Sequence, residues 1–151
     1  MNPLTALRQA LIARLSDITP EAGYNTTAGS RVESGWYNEI IKSRKTAYPM
    51  IVVQKGRDGE PTSGPARIVL ARSFFLFGSV DVGLDGYEDA LDDLELDIIR
   101  SLIPQGGAPL TWAPRGTSGI SIGTPEQVPP GDGEKAATVL IPVTFDLIIK
   151  H

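Results

Sequence analysis

The sequence has no cysteine and a single histidine, His151, which is its last residue. The first absence excludes a disulfide framework and a thiolate zinc site. The second removes histidine-based triads and histidine-rich metal sites. No run approaches the roughly 18 apolar residues needed to cross a bilayer. No glycine-rich phosphate loop with its lysine is present, and no dinucleotide fingerprint follows a strand. The pair Gly106-Gly107 comes after a helical pattern, the wrong side for binding phosphate. Positive charge is also short: the net charge is −4, without the basic surplus of an independent nucleic-acid binder. Met1–Leu15 carries arginines in an amphipathic stretch and no secretory pattern, so synthesis in the cytoplasm is expected. Neither a catalytic residue, a cofactor nor a metal is expected.

What is present organises itself around residues 66–103. Even positions Ile68, Leu70, Phe74, Leu76, Val80 and Val82 are apolar, interrupted by Arg72 and Gly78. Odd positions mix Arg67, Ser73, Ser79 and Asp81 with Val69, Phe75 and Phe77. Period-two alternation with one apolar face predicts a strand over Ala66–Val82 with one side on a core. At about 3.3 Å per residue such a strand spans about 56 Å, against a radius of gyration of about 15 Å for a domain of this size. It must bend, with Gly78 the candidate hinge, or project as a ribbon that needs a neighbour over Phe75 and Phe77. A helix follows: Tyr87, Leu91, Leu94, Ile98 and Leu102 form one stripe. Asp85 is placed to cap it with Glu88 three residues on, and Pro104 stops it.

The flanking chain reads as one domain over 1–151. Asn2 and Pro3 start a first helix whose stripe is Leu4, Leu7, Leu11, Leu15 and Ile18. Ala22–Asn38 reads as an irregular strand or extended arm bearing Trp36 and Tyr37, and Glu39–Thr46 as either a short helix or a loop. Tyr48–Gln54 is a strand buried on both faces, set to pair antiparallel with the long one across the Gly56–Pro65 loop. Pro104–Gly116, with Trp112, and Gly123–Gly133 read as loops around a short strand at Ser118–Ile122. Thr138–Ile149 alternates again, and Pro142 argues for an edge or a bulge there. The order predicts an α+β fold: a mostly antiparallel twisted sheet, a long β-ribbon, and two helices packed on one face.

Two charged groups stand out. Asp85, Glu88, Asp89, Asp92, Asp93, Glu95 and Asp97 crowd one helix, with Asp89, Asp93 and Asp97 four apart; each like-charge pair costs a few tenths of a kcal/mol. As a two-metal catalytic site this is poor, because such sites draw ligands from several elements. A solvated face, or an acidic face toward a partner or a lumen, fits better. Arg31, Lys42, Arg44 and Lys45 form a basic counterpart able to meet the acidic helix of another subunit. Trp36, Tyr37 and Trp112 are either core plugs or interface anchors. With Arg31, Arg44, Lys45, Arg72, Phe75 and Phe77 they make up the candidate interface.

The sequence of elements resembles the tail terminator, or tail-completion, proteins of long-tailed bacteriophages. The resemblance is carried by an N-terminal amphipathic helix, a YPMIVV strand, FFLFGSVDVG leading into DGYEDALDDLELDIIRSLI, and the closing ATVLIPVTFDLIIKH. It is one of element order and length over nearly the whole chain. It implies a homo-oligomeric ring, usually a hexamer, that caps the tail tube, ends polymerisation and offers the joining surface for the head-side connector or stopper. The implied partners are further copies of the chain, the tail tube protein, the connector, and DNA passing through the lumen without sequence-specific binding. No membrane is involved; the implied place is the virion, with assembly in the host cytoplasm. A lumen lined by Asp89, Asp93 and Asp97 would repel DNA and let it slide. Other readings open at this stage are another neck component, a monomeric adaptor domain, and a carboxylate metal enzyme.

Overall fold

The computed structural model describes residues 1–43, 47–83, 86–103, 110–130 and 135–151. Asn2 caps the first helix, α1 (Pro3–Leu15), by accepting from the Leu4 amide at 2.8 Å, with Pro3 at the first helical position. Turns of 3-10 helix follow at Pro20–Ala22 and Ala28–Arg31, then β1 (Val32–Ser34) and the single-turn α2 (Tyr37–Ile40). The central run is β2 (Met50–Lys55), β3 (Thr62–Gly64), β4 (Arg67–Asp81) and α3 (Tyr87–Leu102). The chain closes with β5 (Thr117–Ile122), β6 (Glu126–Val128) and β7 (Ala136–Lys150).

These strands form a seven-stranded sheet in the order β1-β2-β4-β7-β5, with β3 also on β4 and β6 also on β7. Among the described residues only the β1–β2 pairing is parallel. The expected α+β architecture is what the described residues form. The irregular strand or extended arm read at 22–38 holds a 3-10 turn, the short strand β1 and the start of α2, and two of the expected loops, Gly56–Pro65 and Gly123–Gly133, hold β3 and β6. Short segments of this kind lack enough residues to show a period. The expected cap at Asp85 and stop at Pro104 lie outside the described residues.

The ribbon β4–β7 pairs through fifteen consecutive positions, from Arg67 opposite Lys150 to Asp81 opposite Ala136. Its register runs through Gly78 without a shift, so Gly78 is no bulged hinge. It serves the helix instead: a Cβ there would lie 2.9 Å from Leu94 Cδ2 and 3.0 Å from Ile98 Cδ1. Pro142 sits in an interior strand, but at the break between β5 and β6, where the pairing shifts by one residue. Its carbonyl accepts from the Gly123 amide at 2.8 Å, on the side where β5 pairs 143–147 and β6 pairs 138–140. The amide hydrogen it lacks therefore points at the gap between two short strands, where no ladder bond is lost.

Even residues of β4 and odd residues of β7 face one way and carry the core with α1 and α3. Leu7, Leu11, Leu15, Ile18, Leu76, Leu94, Ile98, Leu102, Ile141 and Phe145 are fully buried there. Both long helices lie on this face, as the two amphipathic stripes required. Arg14 Nε donates to the Ser101 carbonyl at 2.7 Å, satisfying an orphan acceptor at the end of α3. The 3-10 turn at Ala28–Arg31 is jammed against the end of α1. A Cβ on Gly29 would lie 2.5 Å from the Ser16 carbonyl oxygen and 2.6 Å from that of Ile18.

Gly78→Ala pushes only on side-chain tips and should cost about 1–3 kcal/mol of unfolding free energy. Gly29→Ala pushes on backbone and should cost more. Urea denaturation of the two variants gives the ranking; a larger loss at Gly78 would contradict it.

Candidate functional site

The sheet's second face brings together three of the sequence-predicted interface residues, Tyr37, Phe75 and Phe77. Odd residues of β4 and even residues of β2 and β7 point there. Met50 and Val52 are buried on it, while Phe75, Phe77, Leu140 and Pro142 are half-buried. Residues 36–40 lie across it. Tyr37 stacks on Phe77, with ring centroids 4.4 Å apart and planes 9° from parallel. Its hydroxyl lies 2.6 Å from Thr138 Oγ1 and 3.1 Å from Ser79 Oγ, which are themselves 3.2 Å apart across the ribbon. Its amide donates to Gln54 Oε1 at 2.9 Å.

Phe77 is therefore covered from within its own chain, so the expectation that it needs a neighbouring copy is corrected. Tyr37 is a plug, apolar in body and hydrogen-bonded at its tip. Trp36, one residue earlier, is 63% exposed. Strand alternation could not reveal this hydroxyl network, because Ser79 and Thr138 look like ordinary polar residues of two distant segments.

The remaining candidates divide. Arg31 is engaged locally, its Nη1 donating to Thr27 Oγ1 at 3.3 Å and to the Pro49 carbonyl at 3.4 Å. Arg44 and Lys45 lie outside the described residues. Trp112 packs edge-on against Phe145, with centroids 5.9 Å apart at 88°, at the rim of the core, so it is a plug and not a surface anchor. Arg72 lies on the helix side of β4 and reaches Asp58, which also accepts from Lys55 Nζ and from the Ser73 amide at 2.8 Å. This carboxylate pins the β2–β3 loop to β4. Burial opposes ionisation of Asp58. The hydrogen bonds from Lys55 and Ser73 and the charges of Lys55 and Arg72 outweigh it, holding the carboxyl below its ordinary value.

The acidic trio does not share a face. Asp89 and Asp93 are exposed, whereas Asp97 is fully buried. Each four-residue step advances about 40° around a helix of 3.6 residues per turn, so the third carboxylate rotates toward Leu94 and Ser101. There it accepts from the Asn25 amide at 3.0 and 3.1 Å and from the Thr26 amide at 2.8 Å. Asp97 thus clamps the chain between two 3-10 turns to α3, and the expectation that it faces a partner or lumen is corrected. Its position among the apolar stripe residues was the signal available.

A hollow of about 460 Å³ lies by Tyr48, Pro49, Asp81 and Lys135. The Tyr48 phenol is pushed up first by burial and then by Tyr37 and Asp81. It stays neutral near pH 7 and offers no base. Among the described residues no group of three or more His, Cys, Asp or Glu is placed to hold a metal ion.

Taken together, fold and surfaces define an α+β sheet protein whose singled-out residues either brace the sheet or lie open on it. No family model matches the sequence, and no curated protein matches it. Among solved structures, a protein in the virion of a native gene transfer agent particle has the same fold. The TM-score is 0.67 at 14% identity, over 97% of this chain and 98% of that one.

Two outcomes check the clamps. Asp97→Ala strands two backbone donors and should cost about 2–3 kcal/mol of stability, read by urea denaturation. The Asp58 contribution is present above the unfolded carboxylate pKa of about 4 and is lost as pH falls through the lower folded value. The Ser73 amide proton shift should therefore titrate below about pH 4 in the native protein and stay flat in Asp58→Asn.

Proposed function

We propose that the protein is a tail terminator of a long-tailed phage-like particle. Copies form a ring, in that family usually a hexamer, on the last ring of the tail tube. The ring ends polymerisation and presents the surface to which the head-side connector or stopper joins, with DNA later passing through its centre. Its place is the head–tail junction of the virion. The observation that carries this reading is the end-to-end likeness to a protein of a gene transfer agent virion, in line with the element order already visible in the sequence. The half-buried Phe75 on the second sheet face and the exposed Trp36 support a protein–protein role, since exposed aromatics are typical anchors.

Negative-stain microscopy of the purified chain, alone and with tubes polymerised from the cognate tail tube protein, tests the reading. Rings at one tube end and tubes of limited length are expected, and Trp36→Ala should weaken ring formation about tenfold or more. Binding to the portal side with no effect on tubes would instead make it a different neck component. A chain that joins neither would overturn the proposal.

A further inference from the structure

Charge is segregated along this chain. Between residues 73 and 99 there are eight Asp and Glu and no Lys or Arg. Asp92 and Asp93 are exposed on α3 one turn before Leu96, which is 48% exposed; Asp92 Oδ1 accepts from Gln127 Nε2 of β6 at 2.8 Å, a neutral donor that leaves its charge uncompensated. At the far end of the ribbon Arg67 stands directly opposite Lys150, both exposed. The next pair inward on the same face is Val69 opposite Ile148, both partly exposed.

Each surface works against its own fold. Like charges directly opposite each other across a ribbon destabilise it, and so do the four-apart carboxylate pairs Glu88/Asp92 and Asp89/Asp93 on a helix. Neither tip cation has an ion-pair partner among the described residues. The two surfaces also match in spacing. One helical turn separates Leu96 from Asp92 and Asp93, about 5.4 Å. Two strand residues separate Val69 and Ile148 from Arg67 and Lys150, about 6.6 Å.

We propose that the outward face of α3 on one copy seats on the ribbon tip of the next copy. Leu96 lies on Val69 and Ile148 while Asp92 and Asp93 meet Arg67 and Lys150. This contact rests on the ring reading above and names its two surfaces. A second copy is the occupant because both halves occur in one chain on opposite sides of its sheet. The helix lies on the core side, and Arg67 and Lys150 project from the other. Patches so placed cannot pair about a two-fold axis; they repeat head to tail, the contact type that closes into a ring. The net charge of −4 disfavours duplex DNA as the occupant of the tip.

The test is charge reversal read by light-scattering mass over a range of concentration and salt. Arg67→Glu with Lys150→Glu, and separately Asp92→Lys with Asp93→Lys, should each weaken assembly at least tenfold. An equimolar mixture of the two should assemble, because each reversed surface then finds its complement on the other variant. Wild-type assembly should loosen as salt rises. Reversed variants that assemble like wild type would overturn this contact while leaving the ring reading standing, and so would a mixture that stays dissociated. Duplex DNA binding lost on tip reversal with assembly unchanged would assign the tip to nucleic acid and overturn the contact. A wild-type chain that stays monomeric throughout and joins no tube would overturn the ring reading as well.

Discussion

Arg67–Asp81 and Ala136–Lys150 are held together by an unbroken ladder, and every other element takes its place from it. Chain segments more than fifty residues apart close on each other there, an entropic cost that only a long, fully paired and half-buried ribbon offsets. Once the register is set, alternate residues of both strands are committed to opposite faces, because a slip of one residue would turn every side chain over. The core face then recruits α1 and α3, and the second face recruits Tyr37. The pinning of the β2–β3 loop by Asp58 and of the 25–26 segment by Asp97 are consequences of the same frame.

That frame is asymmetric in coverage. Two helices close one face, while the other is capped over part of its area by a single helical turn and a stacked tyrosine. Among the described residues Phe75, Leu140 and Pro142 remain half-buried on it, and Trp36 is exposed. The proposed ring gives this asymmetry a purpose, and the separation of acidic helix from basic ribbon tip gives the ring a direction.

The buried polar groups divide in a way that bears on chemistry. Asp97, Ser79 and Thr138 are buried and fully engaged with neighbours in the fold. They rigidify the sheet and its connections, and their hydrogen-bonding capacity is consumed in doing so. Tyr48, raised by burial, is likewise held neutral. Residue types that often signal catalysis here hold the scaffold together.

Local pattern was enough for the long elements. The period of 68–82 and 139–149, the stripes of the two helices and the cap at Asn2 are encoded in contiguous residues, so the sequence by itself determined an α+β chain with two long strands; that these two pair with each other was decided by the tertiary structure. The sequence also determined the charge segregation and the shortage of chemical groups. Tertiary structure alone decided the rest. The short strands β1, β3 and β6 exist because a neighbouring strand offers them hydrogen bonds, and three residues carry no period of their own. Gly78 proved to admit a helix, because what lies above a glycine is a fact of packing. Asp97 proved buried because its donors come from about seventy residues away. Tyr37 and Trp36 are adjacent in sequence, yet one plugs the sheet and the other is exposed, since only the packed surface fixes which way each side chain turns.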